Sequence, residues 1–264
     1  MSESFKQAPQ TPMTQSGIAR VIPCRKLAAG DPVKWLVLGW RDVTRAPVLT
    51  AFYGLIFAAI PWLITYLVTL TGWHLVILPS IVCFMLIGPF LAAALYDISW
   101  ELEKGHQPSL WHSIKAVKRN AVNEWGFGLL LVMLMIFWLR IASIIHALYP
   151  PYLDENFENL LPFLALGTVI GMGFTLLVFF ISAFTQPTLM ERRVDLATAV
   201  LTSMHAVWTN KVPMLIWAGI IATSVGIGFV TGFAGFIILM PLIGYATWHG
   251  YIDTIEVKRP RQYQ

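Results

Sequence analysis

The chain has 264 residues, of which 57% are hydrophobic and only 12% charged, about half the charge of a typical globular domain. Mean hydropathy is +0.67, and 11 Trp and 16 Phe raise the aromatic content. Disorder, a collagen-like repeat and a disulfide scaffold are poor descriptions of such a chain; lipid is the expected solvent for most of its surface.

In chain order, Met1 to Arg20 is polar and has no apolar core of the signal-peptide kind. Residues 1–30 read as a disordered cytoplasmic tail, 31–255 as a single membrane domain, and 256–264 as a second cytoplasmic tail. Asp31-Pro32 is a helix start, with a capping residue before a proline at the first helical position. In the helix that follows, Lys34, Arg41 and Arg45 share one stripe and Val33, Leu36, Trp40 and Val43 lie broadly opposite. Apolar runs of membrane length come next, at about 47–70, 75–99, 126–149 and 161–185. The stretch from Pro213 to Tyr251 is too long for one span. Gly232 and Gly235, flanking Phe233 and Ala234, divide it into spans at 213–231 and 234–251. One span plus a re-entrant segment is the alternative. The expected fold is therefore all-α: six transmembrane helices forming three hairpins, each preceded by an amphipathic interfacial helix.

The two other interfacial helices start near Ser109 and at Asp195. The second aligns Leu110, Ile114, Val117 and Ala121 against Lys115, Lys118 and Arg119; the third aligns Leu196, Val200, Met204 and Val207. Short echoes support a threefold repeat, such as Arg45-Ala46-Pro47-Val48-Leu49 against Lys211-Val212-Pro213-Met214-Leu215. With six spans, 17 of the 18 Lys and Arg residues fall on one side, and the longest opposite loop carries Asp154, Glu155 and Glu158. The positive-inside rule then places both termini in the cytoplasm. Anionic phospholipid headgroups are the expected partners of the basic faces. Other membrane proteins or a second copy of the chain are further partner classes, and the positive-inside bias accounts for the basic residues without nucleic acid.

The eighteenth basic residue is Arg140, inside the third span. It marks an ion or substrate path, or its stem snorkels to the outer interface. Asp97 and Glu101 share a helical face at the inner end of the second span, as a metal or proton-relay cluster or as a salt-bridged turn. His249 ends the last helix beside Trp248, as a functional group at the inner surface or as an aromatic interface anchor at the negative end of the helix dipole. Gly88-Pro89 and Pro241 break helices and free carbonyls for an ion, or simply allow packing. Cys24 and Cys83 lie in different environments and suggest neither a disulfide nor a zinc site. No histidine lies mid-span, so haem has no axial ligands; no metal and no cofactor is expected.

Four segments together carry a family resemblance: Trp40-Arg41-Asp42 before Arg45-Ala46-Pro47; Gly88-Pro89-Phe90-Leu91 with Leu95-Tyr96-Asp97 and Leu102-Glu103-Lys104-Gly105 through Pro108-Ser109-Leu110; Thr202-Ser203 with Asn210, Pro213-Met214 and Trp217; and Pro241-Leu242 through Gly244, Ala246-Thr247-Trp248-His249. They resemble a bacterial family of predicted integral membrane proteins known as a domain of unknown function, over roughly Asp31 to Ile255. The resemblance implies a bacterial inner-membrane helical protein and no established activity. Some members are labelled cytochrome c oxidase subunit I-like, but the mid-span histidines of haem–copper chemistry are missing here. The thin polar inventory within the spans favours a non-enzymatic scaffold, assembly factor or regulatory partner. A small transporter or channel with a path near Arg140 is the alternative, and a lipid-acting enzyme using Asp97, Glu101 or His249 comes third.

Overall fold

A computed structural model describes residues 21–72, 77–117, 120–147, 157–192 and 194–255. Ten helices are present among them: α1 (Asp31–Arg45), α2 (Pro47–Thr71), α3 (Ile77–Glu103), α4 (Leu110–Val117), α5 (Ala121–Ala147), α6 (Phe157–Ser182), α7 (Thr185–Arg192), α8 (Leu196–Thr209), α9 (Lys211–Val230) and α10 (Phe236–Thr254). The short helices expected before each pair of long ones correspond to α1, α4 and α8. Four segments are both long and apolar enough to cross a membrane: Pro47–Leu70, Ala121–Ala147, Leu161–Arg192 and Lys211–Val230. The other two long helices, α3 and α10, match the remaining expected spans in position.

Local chemistry sets the boundaries. α1 starts one residue earlier than expected: Gly30 holds the cap position without a side-chain cap, and Asp31, already helical, accepts from the Ala28 amide at 2.7 Å. Asp195 does cap α8, accepting from the Thr198 amide at 3.0 Å. Gly72 ends α2 with φ 63. Thr231–Gly235 forms the turn between α9 and α10, with Gly232 at φ 59 and Phe233 also left-handed at φ 71. The span expected to run unbroken to Thr185 instead ends at Ser182, and α7 starts afresh. Ser203 of α8 stabilises that break: its hydroxyl accepts from the Phe184 amide at 3.0 Å and donates to the Phe180 carbonyl at 2.9 Å. Backbone groups released by the interruption thus find a partner on another helix.

α10 is the central helix and packs against α1, α2, α3 and α9. Small residues allow that density. A Cβ on Gly54 of α2 would lie 1.9 Å from the Ile237 carbonyl oxygen, so the two backbones touch. Gly39 of α1 meets Leu242 and Ala246, Gly244 meets Leu95, and Gly250 lies under the Trp35 ring. The buried aromatic core gathers at the end of the bundle that carries α1, α4, α7 and the end of α10, here termed the base.

On α1 and α8 the stripe packed against protein differs from the apolar face expected at the membrane interface. On α1, Val33 and Trp40 are 56% and 52% exposed; the buried stripe is Asp31, Pro32, Trp35, Gly39 and Asp42. On α8, Thr198, Ala199, Thr202, Ser203, Ala206 and Val207 are buried, while Leu196, Val200 and Met204 are less so. In a lipid-solvated chain, apolar side chains are at home on the outside, and small or hydrogen-bonded polar residues mark helix–helix contact. The end of the expected N-terminal tail is also tied down. The Arg25 amide donates to the Thr254 carbonyl at 2.7 Å, Cys24 bridges Ile255, and Asn210 binds the Leu27 amide (2.8 Å) and the Arg25 carbonyl (3.0 Å). The segment 21–30 is a strap across the base; residues 1–20 lie outside the described residues.

Candidate functional site

Polar side chains from α1, α3, α4, α7 and α10 converge at the base. Asp42 of α1 is the first node. Its Oδ2 accepts from the Ser99 hydroxyl at 2.5 Å and lies 2.8 Å from His249 Nε2, and all three side chains are largely buried. Asp, His and Ser together suggest a nucleophilic triad, but the connectivity differs. A triad needs the acid on one imidazole nitrogen and the serine on the other. Here Asp42 and Ser99 both approach Nε2, Ser99 at 3.3 Å, and the serine proton already belongs to Asp42. The arrangement ties α1, α3 and α10 together. His249 therefore faces inward rather than ending the helix as an exposed dipole partner. Trp248 is likewise no interface anchor. It is fully buried, packs against Tyr96, Trp100 and Tyr251, and directs its Nε1–H toward Glu103 at 3.4 Å.

Asp97 and Glu101 form the second node, and the structure supplies partners that sequence spacing did not reveal. Pro108 and Ser109 precede α4, where the Ser109 hydroxyl accepts from the His112 amide at 3.2 Å. His112 Nδ1 reaches Asp97 Oδ2 at 2.7 Å. Glu101 accepts from Lys104 at 2.8 Å and lies 3.0 Å from His106 Nδ1. One ligand atom from each of Asp97, Glu101 and His112 can be chosen so that all lie within 4.8 Å of one another. Two carboxylate oxygens and an imidazole nitrogen suit a borderline divalent cation such as zinc. The same geometry also makes a salt-bridged turn, with Lys104 over the Trp100 ring at 3.7 Å. The signal for the histidines was the Pro-Ser reversal, which returns α4 to the end of α3.

Residues 77–191 match the family model described as "Predicted integral membrane protein (DUF2189)". No curated protein and no solved structure matches the chain. Together with the four membrane-length apolar segments, the match makes this an integral membrane protein with transmembrane helices, similar over 77–191 to a family of unknown function. That stretch runs from α3 into α7 and includes the Asp97–Glu101–His112 group. Of the four segments that carry the sequence resemblance, the one from Gly88 to Leu110 lies inside it; those around Trp40, Thr202 and Pro241 lie outside.

A third node involves α7. Tyr251 donates its phenolic hydrogen to Glu191 and accepts from Arg192 Nε at 3.2 Å. On α1, the Lys34 ammonium 2.6 Å from Asp31 holds that carboxyl below its usual range.

The other sequence candidates are dispersed. Arg140 sits on an exposed side of α5, sixteen residues or about 24 Å along the helix from its first turn, and does not join the base. Pro241 is buried in α10. Lacking an N–H, it leaves the Ile237 carbonyl without its helical donor, but that oxygen is covered by Gly54 rather than open to an ion. A Cβ at Gly88 would meet nothing within 4 Å, while the Pro89 carbonyl accepts from Gln186 Nε2 at 2.9 Å. Lys34, Arg41, Arg45 and Lys115 are exposed; Lys118 and Arg119 lie outside the described residues.

Proposed function

We propose that the chain is a scaffold or assembly protein of the bacterial inner membrane rather than an enzyme. In this reading, α2, α3, α5, α6, α9 and α10 are the six spans and both termini are cytoplasmic. The supporting observation is the bareness of α6: none of its apolar window is buried within the chain, against 22% for α5 and α9. Gly167 and Gly173 face open space on it, and Val169 and Met172 are 67% and 58% exposed. Small residues on an open transmembrane face favour close helix approach, so the reading commits to the spans of other membrane proteins as its occupant. Exposed Lys34, Arg41, Arg45 and Lys115 suit anionic headgroups at the base.

The test is cross-linking in native membranes from photoreactive residues at Val169 and Met172. Adducts with a second membrane protein support the reading. Adducts with lipid alone, or with another copy of the chain alone, overturn it. For orientation, a reporter fused after Gln264 should read cytoplasmic and one inserted at Asn156 periplasmic; the reverse pattern rejects that topology.

A further inference from the structure

Beside the base lies a buried carboxyl group that none of the three polar nodes engages. Glu124, in the first turn of α5, is fully buried, and neither of its carboxylate oxygens has a hydrogen-bond partner. Gln186, in the first turn of α7, is also buried and lies alongside it. Its Nε2 donates to the Pro89 carbonyl, and its Oε1, like the glutamate oxygens, has no donor. The Gln186 amide lies close enough to act on the Glu124 carboxylate, yet none of these three buried acceptors has a hydrogen bond of ordinary geometry. Buried polar groups are normally paired, and a buried carboxylate without a counter-charge is among the most unfavourable groups a protein can hold.

We propose that Glu124, Gln186 and the α3 backbone around Pro89 form a binding site for one small alkali cation, of the sodium class. The donor set is all oxygen, which suits a hard cation and not a thiophilic one. A single carboxylate among neutral groups is balanced by one positive charge, whereas a divalent ion would leave an uncompensated charge in a buried site. Backbone oxygen is close at hand. Pro89 has no N–H, so the Met85 carbonyl loses its helical donor. One turn beyond Glu124, Gly128 lets α5 approach α3 so closely that a Cβ there would lie 3.3 Å from the Leu86 carbonyl oxygen. In membrane transporters, backbone carbonyls released from their helical donors coordinate such ions, and α3 supplies one while running unbroken through Pro89. Gln186 has two roles: its amide hydrogen holds the Pro89 carbonyl, and its oxygen faces the cation. Cation binding at this place does not depend on what covers α6.

The test uses the purified full-length chain in mild detergent. Equilibrium dialysis with radiolabelled Na+ measures occupancy, and thermal unfolding is compared in NaCl and in choline chloride at equal ionic strength. The wild type should bind a single Na+ per chain and melt higher in NaCl, because a ligand that binds only the folded state stabilises it. Glu124→Gln keeps the shape and removes the charge. It should lose the difference between the two salts and weaken binding by about tenfold or more. Gln186→Leu should weaken binding with Glu124 intact. No Na+ uptake by the wild type together with identical melting in the two salts overturns the proposal, even if neither variant folds. So does a wild-type melting point that follows pH but not Na+ and becomes pH-independent in Glu124→Gln, because a proton would then neutralise the carboxylate.

Discussion

The base and the bare flank of the spans are built from the same residue types and use them in opposite ways. At the base, Trp35 is 1% exposed, meets Trp217 edge-on at 5.6 Å, and donates its Nε1–H to Asp253 at 3.1 Å. Along α2, Trp62 is 57% exposed and stacks on Tyr66 of its own helix. The base joins helices far apart in the chain through polar partners for its aromatic tips. The flank joins almost nothing, because lipid already solvates its side chains. In such a molecule burial in protein is specified by shape and hydrogen bonding, and hydrophobicity alone does not distinguish a core from a lipid-facing wall.

The sharpest way to break that contrast is to truncate one tryptophan from each region. Trp35→Ala opens a cavity between α1, α9 and α10 and leaves Asp253 without its donor, so a loss of about 3–5 kcal/mol is expected. Trp62→Ala should change stability by less than about 0.5 kcal/mol. Denaturant or thermal unfolding of both variants in the same detergent gives the comparison; equal losses would show that the flank is packed after all.

Glycines give a second pair. Gly54→Ala drives a methyl group toward the Ile237 backbone oxygen, 1.9 Å away without relaxation. No side-chain rotation relieves a clash with backbone, so α2 and α10 must separate, at about 3 kcal/mol. Gly173→Ala, on the open face of α6, meets nothing within 4 Å and should gain slightly if it changes at all, through helix propensity. Melting temperatures of the two variants test the pair.

The same contrast explains what is legible in the sequence. Membrane character, the positions of the long helices, and the short helices before α2, α5 and α9 follow from apolar run length and capping chemistry, which are local. The inward faces of α1 and α8 are not legible in this way, because the apolar stripe is not the buried one. Trp35, Gly39 and Asp42 are the true contact on α1, and two of the three are not hydrophobic. Of the site, Asp97 with Glu101 is legible from helical spacing, and the turn before His112 is visible as Pro-Ser. Neither the His249–Asp42 contact nor the Glu124–Gln186 pair has a spacing signal, since each joins helices that are distant in sequence. Arg140, the most conspicuous charge in the sequence, lies on an exposed flank, while Glu124 is inconspicuous because it stands two residues before an apolar run.

Removing the fastening of the strap sharpens the base further. Asn210 satisfies the Leu27 amide and the Arg25 carbonyl and also bonds back to Ala206 at 3.1 Å. Asn210→Leu leaves those groups without partners in a partly buried position, and a loss of about 1 kcal/mol is expected. Hydrogen exchange at Leu27 should speed up while exchange in the middle of α6 stays the same. Equal acceleration at both places would mean that the strap and the spans unfold as one unit.

The smallest effect concerns the cap of α8, which starts the helix whose Ser203 stabilises the α6–α7 break. Asp195 accepts from Thr198 Oγ1 at 2.7 Å and from the Thr198 amide at 3.0 Å, and these bonds hold its carboxyl below the usual 3.8. Because the folded value is the depressed one, the charge contributes stability above about pH 4 that is lost as the pH falls through the folded value. The group is solvent-exposed, so the contribution is at most about 0.5 kcal/mol. Asp195→Asn keeps an acceptor oxygen and removes the charge, isolating the electrostatic part from the cap itself. Exchange at the Thr198 amide should be faster in the variant than in the wild type at about pH 6, and the difference should shrink as the pH falls through the lowered folded value. A difference that persists below that value would assign the effect to hydrogen-bond geometry rather than to charge at the helix start.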